Sequence, residues 1–349
     1  MADAPRNVLI VMPTWVGDCV MATPTLRSLR ALWPDARITA LVRRNCKPLL
    51  RGIEFIDRII APRKIDVVRL APRIRRARFD AAVLLPNSFK TALLARSAGI
   101  TRRIGYDRDG RGFLLTDKLL PDRHAGQYKV VPTIRYYLAL AGYLGGETRD
   151  ASMHIAVTPA DTAAADSVLQ RAGATLNGQT VLLNPGAQFG AAKLWLPEYF
   201  AEVADAFSER GATVLVSAAP GETGIIDAIA SHAKRPFVDL ARHGMSLGAL
   251  KSMCGRADLV ITNDTGPRHI AAALRTRLVT IFGPTDPRWT TLDFPLEREL
   301  QEDVFCGPCQ KKLCPLDHRC MTQLTPDAVV AACDELLATQ RPLPVINAS

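Results

Sequence analysis

The feature that most constrains this 349-residue chain is an alternation of short apolar runs with amphipathic stretches, and the alternation occurs twice. In the first half, apolar runs at Val8–Met12, Arg37–Val42, Phe55–Ile60, Ala81–Leu85 and Arg103–Tyr106 predict strands. Helical patterns near 18–33, 64–77, 88–98 and 128–144 predict the helices around them. In the second half the predicted strands are Thr180–Asn184, Thr213–Ser217, Phe237–Asp239, Leu259–Thr262 and Leu278–Phe282. Helices are predicted near 159–172, 197–210, 222–233, 246–255 and 266–275. Pro197 suits a first helical turn, and Gly211 falls just past the end of that helix.

Strands that alternate with helices give parallel sheets covered on both faces. About five strands in each half therefore predict an α/β chain of two doubly wound domains. The join is expected after Leu144-Gly-Gly-Glu, where a helix runs out at glycines. This gives domains at 1–155 and 156–325, with a last helix and tail at 326–349. That helix, opened by Thr325-Pro-Asp, is expected to pack back across the first domain. Two such domains would turn the C-terminal ends of their strands toward a central cleft, where ligands bind in open α/β sheets.

Charge separates the halves. Residues 1–155 hold 27 Lys+Arg against 13 Asp+Glu, and residues 156–349 hold 17 against 21, so +14 and −4 make up the net +10. A strongly basic half fits nucleic acid, an anionic membrane surface or a phosphorylated substrate, or else a solvated Arg-rich face. No C2H2 spacing, RNP run or basic heptad helix supports nucleic acid. No apolar run reaches about 18 residues, so no membrane span is expected. The N-terminus enters a strand without a signal-peptide pattern, which points to a cytoplasmic chain whose eight cysteines are reduced.

The chemistry-bearing residues sit in the loops after the strands. In the second half, Asn263-Asp264-Thr265-Gly266 leads from a strand into a small-residue helix, whose first N–H groups and dipole favour an anion. Asp264 and Thr265 are equally good helix caps, and His269 one turn on could be a core or surface histidine. Phe282-Gly-Pro-Thr-Asp-Pro287 follows the next strand. Asn184-Pro-Gly-Ala-Gln-Phe-Gly-Ala-Ala-Lys193 offers one lysine, suited to a diphosphate as a mobile point charge or simply solvated. Glu222, after Ser217-Ala-Ala-Pro-Gly, could accept hydrogen bonds from ribose hydroxyls or serve a helix dipole. In the first half, Pro13-Thr-Trp-Val-Gly-Asp18 puts a carboxylate in the turn after the first strand. There it is either a base that takes a hydroxyl proton or an N-cap of the helix beginning near Cys19.

Taken in order, P-T-W-V-G-D, N-P-G-A…K-x-W, the loop with Glu222, N-D-T-G-P-x-H-x-A-A-A and F-G-P-T-D-P resemble glycosyltransferase family 9, the ADP-heptose:lipopolysaccharide heptosyltransferases. The resemblance runs from about residue 7 to residue 338. Two stretches, PTWVGDCVMATPTLRSLRALWP and CGPCQKKLCPLDHRC, are most similar to the family's second-heptose enzymes. It implies a GT-B architecture and an inverting, metal-independent transfer of heptose from ADP-heptose, which releases ADP and requires no cofactor. The acceptor implied is a phosphorylated lipid A–core saccharide at the inner face of the cytoplasmic membrane. Asp18 matches the family's candidate general base and Lys193 the lysine on the donor diphosphate. Glu222 falls near the acid on the ribose, and Asp264, Thr265, Gly266 and His269 match the nucleotide-binding block. The acceptor's phosphates and acidic sugars are expected to meet a subset of Lys90, Arg102, Arg103, Arg108, Arg111 and Arg123, with Asn87-Ser88-Phe89-Lys90 as the acceptor loop.

Cys306-x2-Cys309-x4-Cys314-x3-His318-x-Cys320 resembles a small zinc knuckle, and equally reads as a set of free or oxidisable thiols. Rival functions are an epimerase of the same architecture, a transferase with another sugar donor, and a non-enzymatic binding module. A dinucleotide oxidoreductase is disfavoured, because no G-x-G-x-x-G follows a strand.

Overall fold

A computed structural model describes residues 4–124 and 126–339. The chain divides into two units. One holds the residues up to Ala156 together with Arg288–Leu292. The other holds Val157–Pro287 and the residues from Asp293 onward.

The first unit carries strands β1 (Asn7–Val11), β2 (Arg37–Leu41), β3 (Arg58–Ile60), β4 (Ala81–Leu84), β5 (Arg102–Tyr106) and β6 (Asp117–Leu119), in the order 3-2-1-4-5-6. All pairs are parallel, with Leu9 opposite both Thr39 and Ala82. The centre of the sheet is wholly apolar: Val8, Leu9, Ile10 and Val11 are fully buried, as strands covered on both faces require. A two-stranded ribbon, β7 (Arg123–His124) and β8 (Gln127–Tyr128), follows. The expected helix near 128–144 is shorter, Thr133–Tyr143. The residue before a proline avoids the helical region, and Pro132 sits at the N-cap. The expected helix 18–33 is two helices, Val16–Met21 and Thr23–Leu32, broken at Ala22 with Pro24 at the start of the second.

The second unit repeats the plan with β9 (Thr180–Asn184), β10 (Thr213–Val216), β11 (Val238–Asp239), β12 (Leu259–Asn263), β13 (Arg277–Phe282) and β14 (Glu297–Gln301). Their order, 11-10-9-12-13-14, is the same permutation, again parallel throughout. In both sheets the strand order reverses beside the first strand of the unit, which is where open α/β sheets take ligands. Each sheet has a sixth strand that hydrophobic patterning misses. β6 is Asp-Lys-Leu and β14 is Glu-Arg-Glu-Leu-Gln, both charged edge strands.

In the last helix, Pro326–Ala338, Val329, Cys333 and Leu336 share one core with Trp195, Phe200, Phe207 and Val279, all of the second unit. Trp195 donates its indole N–H to the Leu324 carbonyl at 3.0 Å, and Arg277 donates to the Leu336 carbonyl at 2.9 Å. The tail 340–349 lies outside the described residues.

Candidate active site

In the second unit, four loops leave the C-terminal ends of β9, β10, β12 and β13, and side chains tie them together. Asn184 donates to the Ser217 carbonyl at 2.9 Å, and Asn263 donates to the Pro185 carbonyl at 2.7 Å. Glu222 accepts from the Ala219 N–H at 3.2 Å, and its carboxylate lies against Gly186. A methyl group at Gly186 would sit 2.4 Å from Glu222 Oε2, so only glycine permits this approach.

Lys193 is not the mobile point charge expected. It is buried, and its Nζ donates to Asp264 Oδ2 at 2.6 Å and to the Asp264 carbonyl at 2.9 Å. Asp264 also accepts from Thr285 Oγ1 at 3.0 Å and pairs with Arg268 at 3.5 Å. Burial pushes the Asp264 carboxyl up, but Lys193 and Arg268 outweigh it, and its pKa falls below the usual carboxylate range. A buried ion pair of this kind stands only because its remaining lone pairs and protons are satisfied. Arg268, fully buried, bonds Glu297 at 2.6 Å and also Glu299, which fastens the helix Gly266–Ala273 to β14. The carboxylates of the charged strand thus have an internal partner.

Neither Asp264 nor Thr265 is a side-chain cap. Thr265 occupies the N-cap position of Gly266–Ala273 without a capping bond, and its hydroxyl bonds the Asn263 carbonyl at 3.2 Å. Pro267 brings no N–H, so the helix start keeps an uncapped, dipole-positive end. His269 is buried, and burial followed by the charge of Arg268 lowers its pKa to about 3. It is a neutral imidazole at ordinary pH. Among the described residues Ser217 Oγ, Asn263 Oδ1 and His269 Nδ1 are buried polar atoms without a hydrogen-bond partner, all near the C-terminal ends of β10 and β12; Thr25 Oγ1, Arg108 Nε and Arg111 Nη2 are the same in the first unit. Buried polar atoms are ordinarily paired, so the three at the strand ends leave room for a polar ligand.

In the first unit, Asp18 is the third residue of Val16–Met21, with Trp15 as the N-cap residue. The reading of Asp18 as a cap of a helix starting near Cys19 is therefore wrong, because the helix starts earlier. Asp18 is half-buried, and the buried Tyr137 donates its hydroxyl to Asp18 Oδ1 at 3.4 Å. Burial, then the charge of Asp18, holds the Tyr137 phenol well above its usual range, so it remains a donor.

Several of the basic residues expected at the acceptor serve the fold instead. Arg111 is fully buried and donates to the carbonyls of Tyr106 and Pro86. Burial brings its pKa down to about 10. Arg103 donates to the Leu114 carbonyl at 2.6 Å, and Arg102 pairs with Asp117 at 3.0 Å, so both brace β5 against the segment ending in β6. Arg108 and Arg123 lie over the Tyr128 ring at 3.9 and 4.4 Å. Lys90 is exposed on the helix Phe89–Ser97, whose cap is Ser88.

Cys306, Cys309 and Cys314 are half-buried and Cys320 is buried. Burial, then the neighbouring cysteines, pushes the Cys320 thiol up to about 11. The knuckle histidine is committed elsewhere: His318 Nε2 lies 2.8 Å from the Ala192 carbonyl. Among the described residues no group of three His, Cys, Asp or Glu side chains is placed to hold a metal ion.

Two six-stranded, parallel Rossmann-like sheets in one chain are the make-up of GT-B glycosyltransferases. The chain belongs to glycosyltransferase family 9 (heptosyltransferase), whose model matches residues 67–319. It is 30% identical over 300 residues to lipopolysaccharide heptosyltransferase 2 of Salmonella typhimurium, covering 81% of this chain and 84% of that one. Among solved structures it is similar to Escherichia coli ADP-heptose lipopolysaccharide heptosyltransferase II, with a TM-score of 0.80, 26% identity, and coverage of 95% and 98%. An E. coli heptosyltransferase solved with ADP-2-deoxy-2-fluoro heptose shares the fold, with a TM-score of 0.66, 20% identity, and coverage of 94% and 99%.

The sequence singles out Lys193, Asp264 and the helix start, which the structure brings together. It does not single out Arg268 and Thr285, which bond Asp264, or Tyr137, which bonds Asp18. Arg268 was legible in principle as the unassigned x of D-T-G-P-x-H, matched by the two glutamates of Glu297-Arg-Glu299.

Proposed function

We propose that this transferase moves a heptose from ADP-heptose to the inner-core saccharide of lipopolysaccharide, with inversion at the anomeric carbon. The second unit takes the donor. Its helix start at Thr265-Gly266 and the remaining N–H of Lys193 receive the diphosphate, Glu222 receives the ribose hydroxyls, and neutral His269 offers a ring nitrogen. Asp264 acts at one remove: its oxygens are occupied by Lys193, Thr285 and Arg268, so it fixes the ammonium rather than touching the nucleotide. Helix dipole and ammonium stabilise charge gathering on the departing ADP.

The first unit takes the acceptor and supplies Asp18 as the base that removes the proton of the attacking hydroxyl. Exposed basic side chains, Lys90 among them, receive the acceptor's phosphates and acidic sugars. No helix of the described residues is long and apolar enough to cross a membrane, so a lipid-linked acceptor would be met at the inner membrane surface by peripheral contact. No metal or cofactor enters this reaction.

The observation that carries the donor assignment is the buried Lys193–Asp264 pair beside an uncapped helix start and three orphaned polar atoms. Incubation with ADP-heptose and a panel of acceptors, reading ADP release, tests the function. ADP released only with a heptose-deficient, lipid A-linked core supports it. Turnover of the nucleotide sugar without acceptor would overturn it in favour of an epimerase.

A further inference from the structure

The cations counted so far leave the donor site short of positive charge. Its linked ion pairs hold two cations, Lys193 and Arg268, and three carboxylates, the buried Asp264 and Glu297 and the exposed Glu299. Burial raises the pKa of Glu299, and protonating it would bring the set only to neutrality. His269, with its pKa near 3, adds no charge. A nucleoside diphosphate carries at least two negative charges, and a helix N-terminus supplies about half a positive one. Either backbone N–H groups do all the remaining work, or a cation outside this set is involved.

The cysteine-bearing loop brings one. The Ala192 N–H, next to Lys193, donates to the Lys312 carbonyl at 3.0 Å. Gly190 is approached so closely that a methyl there would lie 2.4 Å from the same oxygen. His318 Nε2 holds the Ala192 carbonyl from the other end of the loop, and the Gln310 N–H donates to the Pro284 carbonyl at 2.8 Å, beside Thr285. The loop 306–320 is thus fastened to two of the three loops that carry the Lys193–Asp264–Thr285 cluster, those of Lys193 and Thr285. Its Lys312 is exposed and has no ion pair among the described residues. Its Nζ lies 5.9 Å from the centroid of the Phe189 ring, and the same ring has Lys193 Nζ at 5.1 Å. One aromatic residue therefore has two ammonium groups beside it, one buried and compensated, one exposed and uncompensated.

We propose that Lys312 is a second cation for the diphosphate of the nucleotide donor, held in place by the thiol-rich loop. This rests on the donor reading of Lys193. The loop adds one positive charge that the ion pairs of the site lack, while Asp264 keeps Lys193 oriented. Lys312 reaches the phosphate from solvent, so its contribution is screened by salt where that of Lys193 is not.

The test is calorimetry on the full chain with ADP, with adenosine competition as the uncharged comparison, for Lys312→Met, Lys312→Arg and Lys193→Ala. Lys312→Met is expected to weaken ADP about five- to tenfold, as loss of a charge-assisted contact does. Adenosine affinity and melting temperature should stay as in the parent, the salt dependence of ADP binding should be shallower, and Lys312→Arg should bind ADP within about twofold of the parent. If Lys193→Ala weakens ADP while Lys312→Met leaves it unchanged, or if adenosine weakens by the same factor as ADP, the role of Lys312 is overturned and the donor reading stands. If neither substitution alters ADP binding, the donor reading falls and this proposal with it.

Discussion

Replacing Asp18 by Asn separates the chemical from the structural role of that carboxylate, because an amide keeps the shape and a hydrogen-bond acceptor but cannot take a proton. As the third residue of Val16–Met21, Asp18 gains about 0.3–1 kcal/mol from the helix dipole. The Tyr137 hydroxyl, at 3.4 Å, can still donate to an amide oxygen, and the difference between a charged and a neutral acceptor is about 1 kcal/mol. Through these two contacts Asp18→Asn should destabilise by about 2 kcal/mol, a fall in Tm of several degrees. A general base contributes about 10²–10⁴-fold in rate, or roughly 3–5 kcal/mol of barrier. The expected result is a kcat reduced at least about 100-fold, with ADP affinity unchanged. The assay is initial ADP release with saturating ADP-heptose and native acceptor, beside calorimetry for ADP and a melting curve. A variant keeping more than about a tenth of parental turnover would refute the base assignment.

Three further outcomes follow from the same geometry. Lys193→Ala should weaken ADP at least about tenfold by calorimetry and lower Tm, because removing one partner of a buried pair leaves Asp264 uncompensated beside Arg268 alone; unchanged ADP affinity would count against the donor site. The acceptor KM should rise several-fold between about 10 and 150 mM salt, as the Debye length falls from about 30 to 8 Å, and more than the donor KM; a flat acceptor profile would remove the electrostatic acceptor face. His269 has a folded pKa near 3 against an ordinary 6.5, so its neutral form contributes stability that is fully present above about pH 6.5 and drains away as pH falls toward 3. His269→Gln should flatten that part of the Tm–pH curve, and a curve parallel to the parent's would show that His269 titrates normally.

How much of this was legible in the sequence depends on whether apolar patterning carried the information. The central strands of both sheets are buried on both faces and read directly as apolar runs; Val8–Val11 and Leu259–Asn263 are examples. The edge strand β14 did not read that way, because its strand character comes from pairing with β13 and from Arg268 reaching across to Glu297 and Glu299. Here a charged pentapeptide is an edge strand with a distant arginine buried against it, and no local apolar pattern encodes that. The basic half misled for the same reason. Arg102, Arg103 and Arg111 count toward a formal charge of +14, yet Arg102 is paired with Asp117 and Arg103 and Arg111 donate to backbone carbonyls. Net charge reports how many cations a half contains, and burial decides which of them can meet a ligand. Lys90 and Lys312 follow from that distinction. Each is exposed and without an ion pair among the described residues, each lies in a loop or first helical turn, and a phosphate bound there would not first have to break an internal bridge. Lys193 has such a bridge and keeps it, which suits a group that must hold one position while the leaving diphosphate gains charge.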